Sequence, residues 1–230
     1  MRRVIGFAAL PATVLVATCL VRARAAVRRW GATDDEVGRA LPGDGLVPDP
    51  DVTLTRAITI RTPPERVFPW LAQLGQGRGG FYSYDWLENR AGLDIRSADH
   101  IVPGLQLLEP GDRIAVAPGP PFYGFVVADV AAPERLVLRM TIHPFTGMQI
   151  PPHAPARGWS LDATWAFALT PVAGASTRLV TRTRARLRLP LVLAQAYGAA
   201  FQAVELVMER RMLLGVRERA EAAEPRPTRS

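Results

Sequence analysis

The stretch Leu161–Leu189, "LDATWAFALTPVAGASTRLVTRTRARLRL", holds two alternating segments on either side of the turn residues 171–176. In residues 177–189 one residue in two is apolar or a threonine, and the intervening residues are mostly arginine. Side chains that alternate in this way point to opposite sides of a β-strand. The stretch therefore predicts a β-hairpin with one apolar side and one basic side.

A helical pattern follows this hairpin, from Leu191 to about Ala220. Polar residues at 195, 202, 205 and 209 argue against a second membrane span, and residues 221–230 are expected to be disordered. The apolar positions repeat at helical spacing and form a wide face: Leu193, Ala196, Tyr197, Ala200, Phe201, Val204, Val207 and Met208.

Upstream of the hairpin, the pattern again has a period of two, with turn residues about every ten positions. These segments predict strands near 52–60, 105–109, 112–117, 123–130, 135–143, 159–169 and 177–189. Residues 143–158 form a long proline-rich loop, and loops of that length are often functional or mobile.

Two short helices are predicted between the first strand and the later ones. In "TPPERVFPWLAQL" (62–74), Thr62 is the expected N-cap, with Pro63 at the first helical position and Glu65 completing a capping box. A second helix is predicted in "SYDWLENRAG" (83–92), ending at Gly92.

The loop "GQGRGG" (75–80) fits the dinucleotide-binding pattern G-x-G-x-x-G. That pattern has meaning only after a strand and before a helix in a βαβ unit, whereas this loop follows a helix. Its glycines instead predict a sharp turn with positive φ between two short helices.

The formal net charge of +7 is concentrated at the amino terminus. Residues 1–30 contain six arginines and no acid, which leaves 22 basic residues against 21 acidic ones in residues 31–230. No nucleic-acid recognition motif is present, so we expect no nucleic-acid partner. Cys19 is the single cysteine, which excludes an intrachain disulfide.

Residues 4–21 carry no charge and are long enough, at ~1.5 Å per residue, to span a bilayer. We interpret residues 1–30 as a membrane anchor with a basic flank. The arginine cluster 22–29 predicts a single-pass cell-membrane protein with a cytoplasmic domain. A cleaved signal peptide is the alternative, although its apolar region is usually shorter. Residues 31–51 are expected to be a connector, with one helical turn capped at Thr33–Glu36, and residues 52–220 the folded domain.

The order of elements is a strand, two short helices, a run of antiparallel strands and one long carboxy-terminal helix. This order resembles the α+β helix-grip fold of the START-like (SRPBCC) superfamily, which includes polyketide cyclase/dehydrases and lipid-transfer domains. The similarity is to a bacterial, membrane-anchored subgroup, in "AITIRTPPERVFPWLAQLGQGRGGFYSYDWLEN" (57–89) and "GLDIRSADHIVPGLQLLEPGD" (92–112).

The resemblance implies a cavity between a curved sheet and the long helix that holds an apolar small molecule. It implies no particular catalytic residue, because these vary within the superfamily. A solid packed core is the alternative to a cavity. The candidate ligand-binding residues are Tyr82, Asp85, Trp86, Asn89, Trp165, Phe167, Thr181, Thr183, Tyr197 and Phe201.

Helical spacing predicts that Tyr82, Asp85, Trp86 and Asn89 share one face, where Tyr82 and Asp85 would orient a polar ligand or transfer protons. The alternative is that this helix packs its aromatic residues in the core while Asp85 bonds Arg78. The arginines of residues 178–188 are predicted to lie on the outer, solvent side of the sheet, with lipid headgroups or acids such as Asp162 as partners.

The three histidines lack metal-ligand spacing, so neither a metal nor a cofactor is expected. His100, beside Asp99, is expected to be a solvated loop residue. The favoured function is binding, transport or sequestration of a hydrophobic small molecule or lipid at the membrane, without turnover. The alternatives are a cyclase or dehydratase that acts in the same cavity and a membrane-tethered adaptor with a filled core.

Overall fold

The computed structural model describes residues 28–151 and 158–222. The predicted anchor (residues 4–21), Cys19, His153 and most of the predicted tail lie outside the described residues.

Six antiparallel strands form one curved sheet in the order β1-β6-β5-β4-β3-β2. The strands are β1 Val52–Ile60, β2 Arg113–Ala117, β3 Tyr123–Ala131, β4 Arg135–Ile142, β5 Ser160–Val172 and β6 Ser176–Arg188. The register shifts between Ala115 and Ala117 and between Val127 and Asp129, and such irregularities bend a sheet. The predicted hairpin is confirmed as β5 and β6.

The α-helices that lie wholly within the described residues are α1 Asp34–Gly38, α2 Pro64–Ala72, α3 Asp85–Arg90 and α4 Leu191–Ala222. Among the described residues, α4 is the one helix whose length and composition would allow it to cross a membrane. Its inner side packs on the sheet, as the helix-grip prediction requires.

Two local predictions are wrong. Residues 105–109 do not form a strand, because the chain makes a 3-10 turn at Pro103–Leu105 and continues without regular structure to β2. Thr62 is not an N-cap: Pro63 occupies that position, and the buried Thr62 hydroxyl has no hydrogen-bond partner. The two consecutive prolines shift the helix start by one residue, since Pro64 suits the first turn.

The loop "GQGRGG" is a tight turn, as predicted. Gly75, Gly77 and Gly80 all have positive φ, and Gly75 and Gly80 form an isolated antiparallel bridge. Arg78 in this loop donates to the carbonyl groups of Ala72, Leu74 and Leu105, so the considered bond between Arg78 and Asp85 is not formed.

The outer face of the sheet, on the side away from α4, is covered by residues 31–51. The capping box Thr33–Glu36 begins α1 as predicted, and Glu36 accepts hydrogen bonds from Arg178 at 2.7 and 2.8 Å. Arg182 is 3% exposed and bonds Asp44 at 2.7 Å. The arginines do lie on the outer side, but the prediction that they face solvent is wrong for Arg178, Arg182 and Arg184. Residues 31–51 supply partners that strand alternation alone cannot reveal.

Candidate functional site

The inner face of the sheet and α4 enclose two apolar clusters with polar residues between them. The lower cluster contains Ile58, Leu138, Phe167 and Leu179 from the sheet with Met212 of α4. The upper cluster contains Leu54, Met140, Ala163 and Ala185, with Tyr197 and Phe201 of α4 packed against it. On β1, β5 and β6, at least one inward position lies between the residues of the two clusters, and a side chain with a polar group occupies it. On β4, Leu138 and Met140 are consecutive inward positions, so the row does not continue there.

We call this row the polar belt. Its sheet residues lie on the inner face because strand alternation places them on the same side as the apolar neighbours on each strand. The belt consists of Arg56 on β1, Trp165 on β5, Thr181 and Thr183 on β6, and Glu205 and Glu209 on α4.

Arg56 and Glu209 form the centre of the belt. The Arg56 side chain is 0% exposed and the Glu209 side chain 2%. The Arg56 Nη1 donates to Glu209 Oε2, while the indole Nε1 of Trp165 donates to Glu209 Oε1 at 2.8 Å. The carboxylate therefore has a partner on each oxygen, as a buried charge requires.

Arg56 itself is incompletely satisfied. Its Nε and Nη2 are buried and have no hydrogen-bond partner among residues 28–151 and 158–222, and the buried Oγ1 of Thr183 has none in these ranges either. An unpaired buried donor costs ~1–3 kcal/mol, and more when it carries charge. An arginine placed among two apolar clusters with free donors is therefore an arrangement that an additional acceptor would stabilise.

Glu205 lies at the edge of the belt, one helical turn before Glu209. Its side chain is 28% exposed, and its Oε2 is 4.0 Å from Arg56 Nη1. Burial raises the pKa of Glu205 and Arg56 partly opposes this shift, while burial lowers the pKa of Arg56. The belt thus holds one paired charge and one carboxyl that protonates more readily than usual.

The predicted site residues of the sheet and of α4 all lie on the inner side. Trp165, Thr181 and Thr183 belong to the polar belt, whereas Phe167 lies in the lower cluster. Tyr197 and Phe201 pack against the upper cluster. Whether these residues contact a ligand stays a prediction, as does the cavity itself.

The predicted shared face of Tyr82, Asp85, Trp86 and Asn89 is wrong. Tyr82 precedes α3 with a φ of 56° and is 1% exposed, whereas Trp86 is 66% exposed. The helix begins only at Asp85, so helical spacing does not apply to Tyr82. Burial raises the pKa of Tyr82 to about 12, which makes it a poor proton-transfer partner near neutral pH.

Asp85 and Asn89 instead fasten the loop that follows α3. Asp85 accepts from the backbone N–H and the hydroxyl of Ser97 at 2.8 and 2.6 Å. Asn89 exchanges two hydrogen bonds with the backbone of Ile95. These contacts satisfy both side chains within the fold, so they hold the loop in place.

Tyr82 lies against α4 at a very close approach. A Cβ atom at Gly215 would be 2.3 Å from the carbonyl oxygen of Tyr82, so any other residue at 215 would push α4 away. Tyr82 also contacts Trp70 edge to face and lies beneath the Arg219 guanidinium. This contact fixes the carboxy-terminal half of α4.

The sequence interpretation missed Arg56, Glu205 and Glu209 as site residues. The signal for Arg56 was available, because it occupies an inward position between Leu54 and Ile58 in "LTRAI". The two glutamates are four residues apart and so share one helix face. Their polar character was used only as an argument against a membrane span.

No group of three histidine, cysteine or acidic side chains in residues 28–151 and 158–222 could hold a metal ion. His100 is exposed and lies 2.8 Å from the exposed Asp99, which is consistent with the predicted solvated loop residue.

No protein-family model and no curated protein matches the chain. Similar solved structures include a conserved protein from Geobacillus kaustophilus, with 12% identity over 75% of this chain and 97% of that one, at a TM-score of 0.42. The Aha1 dimer from Colwellia psychrerythraea shows 14% identity over 76% of this chain and 99% of that one, at a TM-score of 0.37. CalU16 from Micromonospora echinospora shows 13% identity over 74% of this chain and 84% of that one, at a TM-score of 0.31. These likenesses carry no argument about function.

Proposed function

We propose that this protein binds a hydrophobic small molecule or lipid between the sheet and α4, with the polar belt contacting one oxygen atom of the ligand. The protein is attached to the membrane through residues 4–21, with its domain on the cytoplasmic side. The observation that carries the proposal is the pair of unpartnered donors on the fully buried Arg56.

The chemistry of the belt favours a neutral oxygen acceptor. Glu209 already neutralises the charge of Arg56, and Glu205 is a second carboxyl. The belt therefore has no excess positive charge that would attract an anionic ligand. The donors that remain, Nε and Nη2 of Arg56, suit a carbonyl, ester or hydroxyl oxygen. The apolar clusters above and below the belt suit hydrocarbon on both sides of that oxygen.

The two halves of α4 differ in a way that supports ligand entry. Met212, Leu213 and Val216 in the second half are fully buried in the lower cluster. Leu191, Val192 and Val204 in the first half are largely exposed. Since the first half buries less surface, it separates from the sheet at a lower free-energy cost, which gives a ligand access to the belt from that end.

The proposal is tested with two neutral naphthalene probes, of which only one carries an oxygen acceptor. Prodan carries a ketone oxygen, and N-phenyl-1-naphthylamine carries none. We expect the purified full-length protein to bind prodan more tightly, by about three- to tenfold, because one hydrogen bond to a charged donor contributes ~1.5 kcal/mol or less here. Fluorescence titration measures both affinities.

The matched variant is the double substitution R56M/E209M, which removes both members of the ion pair and leaves the partly exposed Glu205 as the remaining carboxyl of the belt. We expect the preference for prodan over N-phenyl-1-naphthylamine to fall by that factor in the double variant. An unchanged preference would contradict the role of the belt. Failure to bind either probe would favour the adaptor with a filled core.

The cyclase or dehydratase alternative rests on Glu205. Its raised pKa and its position 4.0 Å from Arg56 are features of a proton-transfer group. An E205Q variant separates the two functions. The variant should retain probe binding whether the protein is a binding protein or an enzyme. Mass spectrometry follows any chemical change of a co-purifying molecule, and this change should stop in the variant only if Glu205 is catalytic.

A further inference from the structure

The first half of α4 is apolar on two opposite sides. Its inner side carries Tyr197 and Phe201, which pack against the upper cluster. Its outer side carries no charge from Leu191 to Val207, and within the described residues nothing covers it. The outer positions are small or aliphatic and recur at helical spacing: Val192, Ala196, Ala199, Ala200, Ala203, Val204 and Val207. An apolar face of a helix is normally buried against another element.

The exposed surface continues beyond the helix. Phe145 and Trp159 are both exposed and lie 5.6 Å apart between ring centres, and Phe145 is 6.1 Å from Tyr197 of α4. Met148, in the same loop as Phe145, is also exposed. Exposed apolar surface that is contiguous in this way marks an interaction site. We call the outer side of residues 191–207 together with these three residues the apolar surface.

The amino-terminal chain runs along the same helix. Arg210 lies over the Trp30 ring at 5.3 Å, and Arg28 donates to Gln202 at 2.8 Å. Going back from Trp30 to Arg28, the chain therefore moves from Arg210 toward the first half of α4. Six residues separate Arg28 from Val21, the last residue of the uncharged segment, and they reach at most ~25 Å.

We propose that the apolar surface lies against the lipid bilayer, parallel to the membrane plane, in the membrane-bound protein. A bilayer accommodates both the uncharged segment 4–21 and the adjoining helix face. Packing of residues 4–21 on α4 would instead leave more than half of that segment's circumference in water. The inference rests on the proposed membrane attachment through residues 4–21.

The charges around the apolar surface suit anionic lipid headgroups. Arg188 is exposed three residues before α4 begins, Arg210 is exposed at the other end, and Arg28 lies beside the middle. The outer positions from 191 to 207 contain no acid. Aliphatic and aromatic side chains framed by arginine are typical of helices that lie in the interface of a membrane. The first half of α4, through which we propose that the ligand enters, would then face its lipid source.

The test uses the full chain with Cys19→Ser as background and one cysteine at a time, V192C, V204C or V207C, labelled with a fluorophore. Each protein is reconstituted into phosphatidylcholine–phosphatidylglycerol vesicles. We expect quenching by doxyl-labelled lipid and protection from aqueous iodide at all three positions. V172C is the matched control, since Val172 is an exposed valine at the opposite end of β5. It should show the reverse pattern.

The other outcomes each overturn the inference. Membrane attachment is checked separately by flotation of the protein with the vesicles in a density gradient. If the protein floats but iodide reaches the α4 positions, the inference is overturned and membrane attachment is retained. Protection from both quenchers would show that protein covers the helix, either residues 4–21 or a second copy. Failure to float would overturn the attachment as well. Prodan binding needs no vesicles, so the ligand-binding proposal is judged separately.

Discussion

Two buried arginines lie on opposite faces of the same pair of strands, and only one of them is satisfied. Arg56 on β1 is opposite Thr181 of β6, and Arg182 on β6 is opposite Thr55 of β1. Arg182, on the outer face, uses all three of its side-chain nitrogens: Nε bonds Thr55, Nη1 bonds Asp44 and the Arg39 carbonyl, and Nη2 bonds the carbonyls of Glu36 and Val37. Arg56, on the inner face, uses one nitrogen.

The difference shows that burial of an arginine does not by itself mark a functional site. A guanidinium whose donors all have protein acceptors contributes to the fold, in this case by tying residues 31–51 to the sheet. A guanidinium that keeps free donors in an apolar interior is stabilised by an added acceptor. The count of satisfied donors therefore separates the structural arginine from the candidate binding residue.

The largest expected effect comes from R182A. Removing Arg182 leaves three backbone carbonyls without this donor and takes one partner from the half-buried Asp44, which keeps the Leu41 N–H and Arg184 at 3.6 Å. We expect a loss of ~3–5 kcal/mol in the free energy of unfolding. Urea denaturation measures it. R186A is the control, because Arg186 is 42% exposed and 3.8 Å from an exposed Asp49, and it should change stability by less than ~1 kcal/mol. Equal losses in the two variants would contradict the structural role of the buried Arg182.

The next effect concerns the inner pair. R56M alone is expected to cost ~2–3 kcal/mol, because it leaves the buried Glu209 with only Trp165 as a partner, although protonation of Glu209 limits the loss. R56M/E209M should recover that loss or exceed the original stability by ~1–4 kcal/mol. Thermal unfolding followed by circular dichroism compares the three proteins. A double variant less stable than R56M would show that the belt is built for stability, as the outer face is.

A smaller effect is expected from acid on the outer face. The hydrogen bonds from Arg178 lower the pKa of Glu36 to about 2, from 4.5. Because the folded-state pKa lies below the unfolded one, the stabilisation is complete above pH 4.5 and is lost as the pH falls toward 2. We expect ~2 kcal/mol, less than the full shift implies, since Arg178 is partly open to water.

The measurement is the free energy of unfolding between pH 7 and pH 3 in the unmodified protein and in E36Q. The unmodified protein should lose part of its advantage over E36Q in that range, and the whole of this loss should occur below about pH 4.5. Parallel curves would show that the contact between Glu36 and Arg178 does not contribute.

The smallest effect compares two threonines, one on each face. Thr55 and Thr183 are both buried, but only the Thr55 hydroxyl has a partner, the Nε of Arg182 at 3.0 Å. T55V should lose ~1.5 kcal/mol, while T183V should be neutral or more stable by ~1 kcal/mol, because valine removes an unpaired hydroxyl. Denaturant titration of both variants is the measurement. A loss in T183V equal to that in T55V would mean that Thr183 has a partner in solution.

Much of the fold was predictable because its signals are local. Alternation in residues 161–169 and 177–189 predicted β5 and β6 and assigned Thr181, Thr183 and Trp165 to the inner face. The glycines of "GQGRGG" predicted the tight turn. The errors arose where a local pattern has two meanings. Residues 105–109 alternate without pairing to a neighbouring strand, and Tyr82 has helical spacing to Asp85 without being in the helix.

By itself the sequence determined the β5–β6 hairpin, the long final helix and which side chains of each strand share a face, since these depend on repeats of two or 3.6 residues along the chain. Only the tertiary structure decided what each buried arginine contacts. Glu209 meets Arg56 from 153 residues away, and Asp44 meets Arg182 from 138. Pairing at that distance depends on how the sheet, α4 and residues 31–51 pack together, and no local pattern encodes it.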